Sequence, residues 1–372
     1  MCSCAMQEVT RADALEDAGA IASSLVRWFR MNQRDLPWRR RLDDAYSVWV
    51  SEVMLQQTQA AAVEPYYLRW MQRWPTVEAL AAAPLDDVLA VWSGLGYYAR
   101  ARNLHRAAAI VVERFGGIVP SDPATLASLP GVGAYTKGAL LSIAFNRPFP
   151  AIDGNASRVL SRLLALDASG AEARRTAAEV LTALMTAESP REISQAVMEL
   201  GALVCLPAKP QCSDCPVRRF CRAADRGQPN SWPRRRCRKP VTAVTHAAIV
   251  IEANGAYLMV RRHREGRWGG LWEFPRRECM AHEAPGSCAE RAAREVAGVH
   301  ASSGACVASV RHRVTRYSVT LHAYRARDWT GIPEPVDCAE VAWVDAGALE
   351  QLPLSSPQRT VVRHLLSGLR VH

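Results

Sequence analysis

Four cysteines carry the strongest chemical signal in the chain. Cys205, Cys212, Cys215 and Cys221 are spaced C-x6-C-x2-C-x5-C in the stretch CLPAKPQCSDCPVRRFC. Four thiolates in so compact a loop can close on one tetrahedral zinc or on a four-iron cluster. Pro207, Pro210 and Pro216 stiffen the loop, and Lys209, Arg218, Arg219 and Arg222 give it positive charge. It is therefore expected to fold around its metal and face phosphate rather than to perform base chemistry. The other seven cysteines, Cys2, Cys4, Cys237, Cys279, Cys288, Cys306 and Cys338, share no ligand spacing and are expected to be buried or incidental thiols.

Two carboxylates and a glycine turn form the second group. In VWVSEVMLQQTQ, Glu52 stands among Val48, Val50 and Val53, with Gln56, Gln57 and Gln59 as polar neighbours, which sets it apart from an ordinary surface glutamate. The stretch LPGVGAYTKGAL (129–140) is a turn built on Gly131, Val132 and Gly133 that runs into a helical pattern. Its amides and the helix start suit a phosphate. Asp153 follows in AIDGNASRVLSRL. Lys137, if helical, lies roughly 200° around the axis from Tyr135, and is expected to be a solvated or phosphate-contacting charge.

These residues need a frame. From about Ala14 to Ala202 apolar residues recur at three- and four-residue spacing, which predicts an all-α domain. RAADRGQPNSWPRRRCRKP then reads as a basic linker, with five basic side chains between Arg234 and Lys239. From Val241 the period becomes two, with a hairpin expected around Asn254-Gly255, a helix near CAERAAREVAG, and strands at CVASVRH, YSVTLHAYRAR and AEVAWVD. The expected layout is a helical domain at 14–225, a linker at 226–241 and a mixed α/β domain at 242–370. A net charge of +10 over 372 residues points to a polyanionic partner and to two domains. No apolar run is long enough to span a bilayer. MCSCAMQEVTRADALEDAG lacks the pattern of an export signal, so a cytoplasmic, reducing compartment is expected, nucleoid-associated if the source is bacterial.

The glycine hairpin, Asp153 and the cysteine loop stand in the order found in the endonuclease III superfamily of DNA glycosylases, which the chain resembles. VWVSEVMLQQTQ, LPWRR (36–40), SGLGYYARARNL (93–104), GVGAYT and MELGALVC (198–205) narrow the resemblance to MutY-type adenine DNA glycosylases, over the whole helical region. The resemblance implies a helix-hairpin-helix glycosylase domain with a [4Fe–4S] cluster on the four cysteines. It implies a monomeric enzyme of base excision repair that flips adenine, mispaired with 8-oxoguanine or guanine, out of duplex DNA and hydrolyses its glycosidic bond. Glu52 is then the general acid, its pKa raised by burial, which protonates adenine N7 and later activates water. Asp153 faces the oxocarbenium-like sugar, as a shield or as a transient covalent partner, with Tyr135 and Asn155 orienting it. Trp38, Arg39, Leu55 and Gln195 surround the adenine. Gln57 and Tyr97 wedge into the vacated stack, while Thr58 and Leu95 contact the lesion strand. In endonuclease III the lyase lysine stands two residues after the second hairpin glycine. Tyr135 occupies that position here, so the resemblance implies a monofunctional enzyme.

In the strand-rich region GRWGGLWEFP (266–275) and AAREVAGV (292–299) resemble a Nudix fold. Arg294-Glu295 is followed by Val296, Ala297 and Gly298 in place of paired magnesium-binding glutamates. This disfavours a pyrophosphohydrolase and implies a reader of 8-oxoguanine. Where the family's reading loop carries Phe-Ser-His, this chain has Val314, Thr315 and Arg316, with Thr315 keeping a hydroxyl for the lesion. Two other readings compete: a glycosylase/lyase acting on oxidised pyrimidines, and a non-catalytic iron–sulfur DNA-binding protein. Tyr135 weighs against the first, and the presence of both Glu52 and Asp153 against the second.

Overall fold

The protein's structure, a computed structural model, describes residues 12–166, 170–233, 241–265, 268–314 and 316–369, without the side chains of 314, 368 and 369. Thr315, the Val314 side chain, Cys2, Cys4 and the basic run Arg234–Lys239 with Cys237 lie outside the described residues. The chain divides into two compact units, Met1–Ala81 with Arg106–Cys237, and Ala82–His105 with Arg238–His372. Residues 82–105 thus group with the strand-rich part, although the periodicity places them within the helical domain.

The first unit is helical among its described residues. Helices Ala18–Asn32, Gly154–Leu163, Ala171–Ala187 and Pro190–Leu203 carry apolar residues at helical spacing. They bury Ile21, Leu25, Phe29, Leu160, Leu184 and Leu200 in a common core. The Glu52 helix, Ala45–Leu55, is different, since every residue from Tyr46 to Met54 is buried. Asp44 caps its start, accepting from the Tyr46 and Ser47 amides at 3.1 and 3.2 Å. The helix stops at Gln56, and Gln57 turns the chain with φ 57. The next helix is Ala60–Arg73.

Close backbone approach brings the second carboxylate in. The glycine turn joins helices Pro123–Ser128 and Ala134–Ala139, with Gly131 at φ 78 and Val132 buried beneath it. A Cβ on Gly138 would stand 2.3 Å from the Pro150 carbonyl, so only glycine lets the segment leading to Asp153 pass there. Gly201 does the same for the helix that Asp153 caps, where a Cβ would meet the Asn155 Cβ at 2.7 Å.

In the second unit β1 (Thr242–Val250), β5 (Arg276–Glu278), β6 (His300–Val314) and β7 (Tyr317–Thr330) form one sheet in the order β5-β1-β7-β6, with β1 and β7 parallel. A second sheet pairs β3 (Ala256–Arg261) with β2 (Glu252–Ala253), β4 (Trp272–Glu273) and β8 (Glu340–Asp345). Ala247, Ile249 and Ile251 face helix Pro285–Ala297, while Ala248 and Val250 face a core that includes Val361 and Leu365 of helix Ser356–Leu369. The expected Asn254-Gly255 hairpin exists only between β2 and β3. β1 was expected as its first arm and instead belongs to the other sheet, because both its faces are buried and its edges are taken by β5 and β7.

Candidate active site

Glu52, Tyr135 and Asp153 line one cavity of about 1160 Å³. Glu52 is 6% exposed, and the Tyr135 hydroxyl donates to its Oε2 at 2.6 Å. Burial pushes the Glu52 carboxyl up to about 7, against the lowering effect of the Tyr135 hydrogen bond, while the nearby Asp153 pushes it further up. The Tyr135 phenol is itself held well above its ordinary range by burial and by the adjacent Glu52. It is a donor at any working pH.

Asp153 sits at the N-cap of helix Gly154–Leu163 and accepts the Ala156 amide at 2.6 Å. Burial raises its pKa even though the Ala156 and Asn155 amides favour the anion. Tyr135 and Asn155 are the residues expected to orient Asp153 and the intermediate. The Tyr135 hydroxyl is directed at Glu52 and, at 3.9 Å, at Met198 Sδ. Asn155 offers Asp153 its backbone amide, and its side-chain oxygen accepts from Arg158 at 2.8 Å. Gln56, expected beside Glu52, borders the same cavity and donates to Thr136 at 3.0 Å.

Trp38, Arg39, Leu55, Gln57, Thr58, Gly131, Gly133, Asn155 and Gln195 all border the cavity; Val132 and Lys137 do not. Trp38 is fixed edge-on to Tyr67, with centroids 5.5 Å apart. Gln195 donates to the Arg191 carbonyl at 3.2 Å. Leu95 and Tyr97 belong to the second unit, where Leu95 is buried and Tyr97 exposed on a turn with φ 49. Gln57 and Tyr97 share this left-handed conformation, which costs a non-glycine residue energy and collects at functional sites. The Tyr97 turn is anchored by Ser93 and Tyr98, whose hydroxyls donate to the Leu354 carbonyl at 2.7 and 2.8 Å. Arg316 is exposed, donating to the neighbouring Tyr317 hydroxyl at 2.9 Å.

Sequence reasoning missed one side chain of the cavity wall. Glu199, with a side chain 1% exposed, receives forked hydrogen bonds from Arg34 at 2.9 and 2.7 Å and from Arg39 at 3.0 and 3.0 Å. Burial would raise its pKa, but the two guanidinium groups outweigh it and hold the carboxyl at about 2. Its signal was present, an acid in MELGALVC four residues after Gln195 and so on the same helix face.

The four cysteines of the loop line a second, smaller cavity with Arg162. Arg162 is buried and donates to Cys205 Sγ at 3.3 Å and to the Leu206, Pro207 and Trp232 carbonyls. No three of the four thiols come within 4.8 Å of one another. A tetrahedral zinc with bonds of about 2.3 Å would need sulfurs roughly 3.8 Å apart. Four thiols from one loop are a donor set that an iron–sulfur cluster takes.

Residues 50–183 match the HhH-GPD superfamily of base excision DNA repair proteins, and residues 246–364 match the NUDIX domain. The adenine DNA glycosylase of Buchnera aphidicola subsp. Baizongia pistaciae is 32% identical over 254 residues, covering 68% of this chain and 72% of that protein. The chain belongs to the adenine DNA glycosylase family. The Rattus norvegicus family member is 40% identical over 314 residues, and the match takes in 70% of this chain but only 61% of the rat protein. The chain thus spans about three fifths of the length of its mammalian relatives. A thermostable thymine-DNA glycosylase of known structure has a TM-score of 0.52 at 25% identity, covering 57% of this chain and 98% of its own. Family membership and these folds agree with the all-α glycosylase domain followed by a Nudix-like α/β domain.

Proposed function

We propose that the chain is a monofunctional adenine DNA glycosylase of base excision repair, excising adenine paired with 8-oxoguanine or guanine in duplex DNA. The observation that carries this reading is a buried carboxyl with a pKa of about 7, hydrogen-bonded by Tyr135 and sharing its cavity with Asp153. A carboxyl poised near neutral pH can be the acid before bond cleavage and the base after it. Glu52 gives its proton to adenine N7, the C1′–N9 bond breaks, and the bonding electrons leave with the base. The sugar's positive charge then faces Asp153, which shields it or bonds to it transiently. Water adds at C1′ and yields its proton to Glu52, which restores the starting state.

Trp38, Arg39, Leu55 and Gln195 are assigned to the flipped adenine. Gln57 and Tyr97 take the space it vacates, and Thr58 and Leu95 contact the opposite strand. Unstacking costs a few kcal/mol, which these contacts offset. The amides of Gly131, Val132 and Gly133 are assigned to a phosphate. Thr315, in the Nudix-like part, is assigned to the lesion base.

Cys205, Cys212, Cys215 and Cys221 would hold a [4Fe–4S] cluster. Once bound, such a cluster cross-links the loop and offers a redox-capable centre. Lys137 lines no part of the cavity, which supports a monofunctional reaction. The protein is assigned as a monomer acting on DNA, and no described helix is long and apolar enough to cross a membrane.

The test is a single-turnover assay on duplexes with a central 8-oxoguanine·A, G·A or thymine-glycol pair. Adenine release from the first two, abolished by Glu52→Gln and by Asp153→Asn, is expected. Strand cleavage without alkali that depends on Lys137 would overturn the monofunctional reading.

A further inference from the structure

Cys279, Glu283 and Cys288 meet at a corner of the strand-rich unit. Their ligand atoms, two thiol sulfurs and a carboxylate oxygen, all lie within 4.8 Å of one another, and no other three His, Cys, Asp or Glu side chains among the described residues do so. The fold assembles this trio. Cys279 follows β5 and extends its pairing, its amide donating to the Thr245 carbonyl at 2.8 Å. Cys288 lies in the first turn of helix Pro285–Ala297, its amide bonded to the Ala284 carbonyl at 3.0 Å. Glu283 closes the corner between them by accepting the Met280 amide at 2.8 Å. Cys288 is 0% exposed and Cys279 only partly buried, so the trio opens to solvent on one side.

We propose that Cys279, Glu283 and Cys288 bind a zinc ion, in a site that takes no part in adenine excision. Two sulfurs and one carboxylate oxygen are a donor set for zinc and too soft for magnesium or calcium. Tetrahedral zinc at bond lengths of about 2.0–2.3 Å needs its ligand atoms roughly 3.5–3.8 Å apart, a spacing that lies inside the 4.8 Å limit within which all three atoms fall. Water fills the remaining position on the open side.

Arg291 fits this assignment as an outer partner. It forks onto Glu283 at 2.8 and 2.8 Å and stands 3.6 Å from Cys288 Sγ. It takes one lone pair on Glu283 Oε1 and leaves another for a metal, in the way ligating carboxylates are commonly held from behind. Binding releases the two thiol protons to solvent and involves no change of oxidation state. Two thiolates and a carboxylate carry three negative charges; zinc offsets two, and Arg291, which also pairs with Glu295 at 3.0 Å, lies against the third.

The experiment uses the full chain, purified under reducing conditions and treated with EDTA. Zinc and iron per chain are counted by mass spectrometry, and zinc alone is then titrated against a chromophoric chelator. One zinc per chain, bound more tightly than about micromolar, is expected for the unaltered protein. Cys279→Ser combined with Cys288→Ser should bind none there while keeping the unaltered protein's iron content and adenine-release rate. Glu283→Gln, which preserves both thiols, should bind zinc about 10- to 100-fold more weakly. Failure of the unaltered protein to hold zinc against the chelator, zinc retained equally by the double variant, or a Cys279–Cys288 disulfide in peptide mass spectra would each overturn the site.

Discussion

The Tyr135 hydroxyl lies 2.6 Å from Glu52 Oε2 and holds that carboxylate from the first turn of the helix after the glycine hairpin. The residue standing where a lyase would place an amine is therefore tied to the carboxyl proposed to protonate the base. Burial raises the proton affinity of Glu52, and tyrosine at this position tempers that rise, because its hydrogen bond favours the ionised carboxyl.

Tyr135→Phe removes that donor while keeping the ring. Glu52 should then titrate above about 7, and the alkaline limb of the rate profile should move to higher pH. A hydrogen bond to a charged group is worth about 1.5–3 kcal/mol, so a shift of roughly one to two units is expected. Loss of orientation should cost the neutral-pH single-turnover rate about tenfold. An unmoved limb in pH-resolved adenine release would disprove the coupling.

The pH profile of the unaltered protein follows from the same two carboxyls. In the proposed mechanism, excision needs Glu52 protonated and Asp153 ionised. Because Glu52 titrates at about 7, the rate should fall about tenfold per unit above that pH. On the acid side it should fall as Asp153, raised by burial above its ordinary 3.8, takes up a proton. Single-turnover rates from pH 4 to about 9 on an 8-oxoguanine·A duplex would show both limbs, and a rate still rising through pH 8 would exclude Glu52 as the acid.

Glu52 should also weaken the fold at high pH. A carboxyl whose folded pKa is raised from 4.5 to about 7 contributes its full stability below the lower value and loses it as pH rises through the upper one. The penalty at pH 8 is at most about 3 kcal/mol. Glu52→Gln, which stays neutral, should raise the melting temperature at pH 8 and leave it nearly unchanged at pH 5. Calorimetry at the two values measures the difference, and equal effects at both would show that Glu52 carries no such burden.

The ease of reading these sites from sequence depended on how local their signals were. The cysteine loop, the Glu52 string and the hairpin are contiguous runs whose residue types suffice, and the helical period from Ala14 onward is a property of each segment alone. Partners fixed by tertiary packing were less visible. Nothing near Glu52 in the chain announces Tyr135 as its donor, and the helical spacing that puts Glu199 on the face of Gln195 does not announce Arg34 and Arg39, which close on it. β1 fails as a hairpin arm for the same reason, since its partner β7 comes some 70 residues later. The grouping of residues 82–105 with the strand-rich unit depends on bonds such as Ser93 to Leu354, which join positions 261 apart.

That last contact yields a further expectation about Tyr97. The Leu354 carbonyl receives both the Ser93 and Tyr98 hydroxyls, and Arg359 donates to Ser93 Oγ at 2.8 Å, so the turn that bears Tyr97 hangs from residues near the C-terminal helix. Ser93→Ala with Tyr98→Phe leaves that carbonyl without either donor. At about 1 kcal/mol per hydrogen bond, the turn should loosen enough to weaken binding to an 8-oxoguanine·A duplex about tenfold. Adenine release at saturating protein should change little, since no atom of the Glu52 cavity is altered. Tyr97→Ala should weaken binding similarly, and combining it with the double variant should add little further. Full additivity in anisotropy titrations would show that Ser93 and Tyr98 act on DNA binding by some route other than the Tyr97 turn.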